Sequence, residues 1–195
     1  MKTLRLYGAG LLAALLLTLT ACVPSTSVPS TRGSGGGGGG SGVGTTWTLR
    51  NLGNHLFGVT YGNGLFVAVG KGGAILTSRD GVSWTARTSG TGNTLWAATH
   101  GGGQFVAVGE GGTILTSPDG AAWTARTSGT GDTLWAATHG GGQFVAVGLG
   151  GTILTSPDGA AWTARTSGTD NHLYGVTYGN GTFVAVGDGA MLTSP

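Results

Sequence analysis

This chain is short of most of the residue types that carry chemistry. It has one cysteine, Cys22, so it can build neither a disulfide framework nor a thiolate metal cluster, and the folded part must be held together by packing. Charged residues are 8% of its 195 residues, with a single glutamate, Glu110. Of nine Lys and Arg, Lys2 and Arg5 sit at the extreme N-terminus; the remaining seven balance seven Asp and Glu and form no run. Nucleic-acid binding needs a positive footprint, which is missing, and so does a membrane contact driven by charge. No segment beyond residue 22 sustains a 3.6-residue apolar period, which excludes an α-helical domain.

What the chain does have is glycine, 43 residues of it, and a repeat. Phe-Val-Ala-Val-Gly starts at Phe66, Phe105, Phe144 and Phe183, each 39 residues after the last. A constant period of this size predicts an array of identical small folding units. One unit reads Thr94 to His100, Gln104 to Val108, Thr113 to Ser117 and Ala121 to Arg126, four short runs rich in β-branched and aromatic residues. Glycine clusters or Pro-Asp-Gly separate them, so they are strands joined by antiparallel hairpins. Asn63-Gly64 and Asn180-Gly181 supply the positive φ pair of a type I′ turn. The prediction is an all-β chain.

The ends differ from the array. Lys2 and Arg5 precede an apolar stretch, Leu11 to Leu19, too short to span a bilayer comfortably. Leu19-Thr20-Ala21-Cys22 then resembles the lipobox of bacterial lipoproteins. The resemblance implies a signal peptide over 1–22, lipid on Cys22, and a lipid-anchored protein of the bacterial cell envelope, periplasmic or at the cell surface. Residues 23–44, rich in Ser, Thr, Pro and Gly, read as a flexible tether.

A four-stranded meander repeated in tandem looks like a propeller blade. Ser78-Arg-Asp80-Gly81-Val-Ser-Trp84, Ser117 to Trp123 and Ser156 to Trp162 resemble a shortened Asp-box (BNR repeat) of the sialidase-type and photosystem II assembly factor-type propellers. The resemblance covers essentially residues 46–195 and implies a β-propeller over 45–195. Its four four-stranded blades are 55–87, 94–126, 133–165, and 172–195 completed by 47–50. Trp47-Thr-Leu-Arg50 matches only the last strand of a unit, and Met191 to Pro195 stops just before that strand, so the N-terminal segment is expected to close the ring. Two chains forming an eight-bladed ring is the alternative, which leaves monomer or dimer open.

Candidate site residues recur with the repeat. Asp80, Asp119 and Asp158 are read as turn-capping Asp-box carboxylates rather than acid–base groups. Arg50, Arg87, Arg126 and Arg165 recur at one repeated position, unlike a carboxylate clamp gathered from different positions of different blades. Glycoside hydrolysis needs two flanking carboxylates. Outside the Asp-boxes there are only Glu110, Asp132, Asp170 and Asp188, and no carboxylate–tyrosine pair is evident. His100 and His139 end the first strand of their units, whereas His55 and His172 start theirs, a poor metal set. Phe57, Trp96, Trp135 and Tyr174 recur on the first strand, with His100 and His139 on the same face. They are either packing between blades or an aromatic-lined mouth for a peptide or glycan. Gly109-Glu-Gly-Gly112 precedes a strand, not the helix that a phosphate loop opens.

The expected function is a non-enzymatic binding or assembly module for an envelope protein or glycan, with no catalytic residue, metal or cofactor. Alternatives are a sialidase-like glycosidase and a fragment of a longer propeller without a function of its own.

Overall fold

The computed structural model of the chain describes residues 46–50 and 52–194. The expected signal segment, Cys22 and the tether lie outside them. The chain divides after Trp47, and the architecture below is that of the unit beginning at Thr48.

Four antiparallel sheets follow one another along the chain. The first is β1 (Leu56–Gly62), β2 (Leu65–Gly70), β3 (Ile75–Ser78) and β4 (Thr85–Arg87); the second is β5 (Leu95–Gly101), β6 (Gln104–Gly109), β7 (Ile114–Ser117) and β8 (Thr124–Arg126). The third is β9 (Leu134–Gly140), β10 (Gln143–Gly148), β11 (Ile153–Ser156) and β12 (Thr163–Arg165); the fourth is β13 (Leu173–Gly179), β14 (Thr182–Gly187) and β15 (Ala190–Ser194). Each sheet pairs its strands in sequence order, the up-and-down meander of a propeller blade. Ala107 of β6 sits opposite Ala98 of β5 and Leu115 of β7, and Ala146 repeats that register between Ala137 and Leu154.

The turns follow from local sequence. Asn63 (φ 47°) and Gly64 (φ 70°) make the type I′ hairpin between β1 and β2, and Asn180 and Gly181 repeat it. Gly-x-Gly-Gly forms a single 3-10 turn after the second strand, as at Glu110–Gly112, and leads into a strand.

Strand alternation sends residues to two different junctions. In the second blade Phe105 and Ala107 face the first blade, packing with Leu65, Val67, Val69 and Ile75. Val106 and Val108, one residue on, face the third blade and pack with Leu134, Phe144 and Ala146. Both faces of an interior blade are therefore apolar, which is why Phe-Val-Ala-Val is a continuous run rather than an alternation. Full burial of one such side chain contributes about 1.5–3 kcal/mol.

The array differs from expectation at its ends. The fourth sheet has three strands, and Thr48–Arg50 carry none; Leu49 is 90% exposed. The first strands pack in succession, β1 on β5, β5 on β9 and β9 on β13, but among the described residues β1 and β13 share no such extensive packing. The expected ring closure by 47–50 is therefore not seen among the described residues. A fourth strand here is only three residues long and offers few ladder bonds, so its pairing depends on the first and last blades being brought together.

Candidate functional site

The Asp-box residues build their own turns. Asp119 Oδ1 accepts the Ala121 amide at 2.8 Å, the Ala122 amide at 3.2 Å and the Ser117 hydroxyl at 3.1 Å. Ser117 Oγ accepts the Gly120 amide at 2.8 Å, and Trp123 Nε1 donates to the Gly120 carbonyl at 3.1 Å. Asp80 and Asp158 repeat these bonds. Amide donors hold all three carboxyls below the usual aspartate range, those of Asp80 most strongly. A carboxylate whose anionic form is already hydrogen-bonded to its own turn is a poor proton donor. Arg87, Arg126 and Arg165 donate through Nε to Thr77, Thr116 and Thr155 of the preceding strand at 2.8–2.9 Å.

The first strands carry two rows. Phe57, Trp96, Trp135 and Tyr174 form one, with ring centroids 4.6, 4.9 and 6.1 Å apart. The indole N–H groups of Trp96 and Trp135 are enclosed there without a hydrogen-bond partner. Phe57 and Tyr174, at the two ends, are exposed. The other row is Tyr61, His100, His139 and Tyr178, of which the last three are set into the junctions and Tyr61 is exposed. The His100 ring lies over Gly62 of the preceding blade, His139 over Gly101, and Tyr178 over Gly140. Each ring also packs on a phenylalanine of its own blade, His100 on Phe105 with centroids 4.5 Å apart. Burial first, and the neighbouring His139 second, push the His100 pKa below its ordinary value.

Several other polar groups have hydrogen-bond partners. Glu110 Oε2 accepts the Thr94 amide at 3.0 Å; Asp132 Oδ2 accepts the Thr130 and Thr152 hydroxyls at 3.0 and 2.9 Å. His172 Nδ1 accepts the Gly150 amide at 3.1 Å. Among the described residues the fold makes a carboxylate–tyrosine pair that the sequence did not reveal: Tyr174 donates its hydroxyl to Asp188 Oδ2 at 3.0 Å, 14 residues away. That bond raises the Tyr174 pKa and keeps the phenol protonated. No cluster of His, Cys, Asp or Glu among the described residues has the geometry of a metal site.

The described surface has a groove of about 270 Å³ between the third and fourth blades. Val145, Val147, Ile153 and Phe183 form its apolar floor, with Gln143 and Arg165 at the rim. At the two earlier junctions part of the equivalent space is taken up, although a cleft of about 390 Å³ lined by Leu65, Thr77 and Arg87 remains beside Asp119 at the first. At both, the Asp-box turn of the later blade leans on the earlier one, Gly120 against Leu65 and Gly159 against Val106, and Trp123 and Trp162 join the cores. Gln104 clasps that turn, donating from Nε2 to the Asp158 carbonyl at 2.7 Å. Gln143 is the same residue one repeat later, and no described residue of the fourth blade takes its side-chain amide as Asp158 takes that of Gln104. Sequence reading missed this clasp, although glutamine recurring at 104 and 143 but not at 65 or 182 was a visible sign.

No family model and no curated protein matches the chain. Among solved structures it is similar to YCF48 from Cyanidioschyzon merolae, at 19% identity and a TM-score of 0.59, over 73% of this chain and 53% of that one. It is similar also to a structure of YCF48 bound to D1 peptide, at 19% identity and a TM-score of 0.57, over 69% of this chain and 47% of that one. The chain spans about half the length of these structures. The likeness shows the fold, a propeller-type array of blades.

Proposed function

We propose that this chain is a non-enzymatic binding module, held at the bacterial cell envelope by lipid on Cys22, that takes an extended protein segment in the groove between its third and fourth blades. The observation that carries the reading is Gln143. Its counterpart Gln104 grips a backbone carbonyl of an incoming turn, and Gln143 stands beside an apolar floor with the same capacity. A segment carrying one aromatic side chain and a free carbonyl reproduces what Trp162 and Asp158 do one junction earlier. That a YCF48 structure of the same fold is described as bound to a peptide accords with this use of the architecture. The glycosidase alternative has less to draw on, since Glu110 and the Asp-box carboxylates are bonded to local backbone and hydroxyl groups.

The test is fluorescence anisotropy of a labelled peptide, Ser-Pro-Asp-Gly-Ala-Ala-Trp-Thr-Ala-Arg, titrated with the full chain. Binding that weakens about fivefold to tenfold in Gln143→Leu, the loss of one hydrogen bond, supports the reading. Binding unaffected by Gln143→Leu and by a groove-filling Thr155→Trp sinks it. A response to an oligosaccharide panel with none to peptide moves the function to glycan. Metabolic labelling with a fatty acid, lost in Cys22→Ala, tests the anchor.

A further inference from the structure

Every internal junction is closed by the same lock, a ring of the later blade seated over a glycine of the earlier one. A Cβ on Gly62, Gly101 or Gly140 would overlap the ring of His100, His139 or Tyr178. Beside it the strands approach so closely that a Cβ on Gly58 would come within 2.9 Å of the Trp96 carbonyl. Each end of the array keeps one unused half of this lock. Tyr61 holds the ring position of the first blade and is 58% exposed. Gly179 holds the glycine position of the fourth, and no described residue comes within 4 Å of where its Cβ would be.

The surfaces around these halves are also those of an interior junction. Val108 and Val147 are fully buried at their junctions, whereas Val186, their equivalent on the fourth blade, is 41% exposed. Met191 stands 75% exposed where Ile114 is buried, and Val59 lies exposed beside Tyr61. Within one chain the two faces stay largely exposed, and β13 lacks the close packing on β1 that joins each first strand to the next.

We propose that the first blade of one copy docks on the fourth blade of a second copy, with Tyr61 seated over Gly179. The occupant follows from continuity with the three junctions already present. The face offered by the fourth blade is the one that each earlier blade covers with the leading face of its successor, and the leading face left over belongs to the first blade. The contact is heterologous, and two of them related by a twofold axis close a ring of eight blades, at the upper end of the usual range. The aromatic row then continues from Tyr174 to Phe57 of the second copy. This inference does not rest on the peptide reading, which concerns the third and fourth blades of one chain.

Disulfide cross-linking of the full chain tests it. In a Cys22→Ala background, Tyr61→Cys and Gly179→Cys chains, mixed and oxidised, are expected to yield a covalent dimer on a non-reducing gel, whereas either variant alone yields none. Gly179→Arg supplies a second readout. The position has open space and no left-handed φ, so a single copy accommodates the side chain. Sedimentation is expected to shift from dimer for the parent chain to monomer for this variant, with circular dichroism unchanged. No cross-link in the mixture overturns the proposal. So does a Tyr61→Cys/Gly179→Cys double variant that forms its disulfide only within one chain, and so does a Gly179→Arg chain of unaltered mass.

Discussion

Replacing Gly140 by alanine adds one methyl group where the Tyr178 ring already sits. Gly140 ends β9 without a left-handed φ, so the backbone accepts alanine, and the stiffer unfolded chain alone would favour the variant by about 0.4–1 kcal/mol. Against this stands overpacking, which costs about 1–3 kcal/mol when a well-packed neighbour must leave its place. Tyr178 has little room to yield, since its ring also packs on Phe183 with centroids 4.6 Å apart. The net expectation is a loss of roughly 1–2 kcal/mol, or a fall in Tm of about 2–8 °C for a domain of this size. Urea unfolding followed by tryptophan fluorescence measures it. Gly131→Ala is the control, with no described atom within 4 Å of its Cβ and no left-handed φ, and is expected to be neutral or slightly stabilising. Tyr178→Ala removes the obstacle, so Gly140→Ala should cost less in that background than in the parent. A Gly140→Ala chain as stable as the parent would refute the ring-on-glycine lock.

Other expectations follow from burial and titration. Phe105→Ala, at a fully buried interior position, should lose about 3–5 kcal/mol in urea unfolding, and Phe66→Ala, its half-buried equivalent on the first blade, clearly less. The three Asp-box carboxyls titrate below the ordinary aspartate range, so the stability they give is complete above that range and is lost as pH falls toward their folded values. An acid titration should show Asp119→Asn shifting less steeply than the parent in that range. His100 also has a lowered pKa, so the unfolded chain takes up its proton first and stability declines as pH falls below 6.5. His100→Phe should flatten that slope in thermal melts between pH 7 and 5.

Much of this fold is local, and local features are legible in sequence. The 39-residue period, Asn63-Gly64 and Asn180-Gly181 with their positive φ values, and Pro-Asp-Gly with its aspartate over the turn amides all depend on a few neighbouring residues. The continuous Phe-Val-Ala-Val run matches a blade covered on both faces, which became plain only from the packing of its neighbours. Other features depend on residues a whole blade apart. Gly62, Gly101 and Gly140 read as turn glycines and prove to be seats for rings some 38 residues on. The Gln104 clasp on Asp158 spans 54 residues, and Tyr174 meets Asp188 only because β13 and β14 are paired. The expected four-blade closure was an argument about phase along the chain. Phase says which strand could follow which, whereas the turn from one blade to the next is set by side chains meeting across the junction. So the sequence by itself determined the unit, its turns and its apolar faces, because these are decided by hydrogen bonds and alternation within a few residues. Only the tertiary structure decided which side chains meet across each junction and which described faces stay exposed, because those depend on the packing angle between blades.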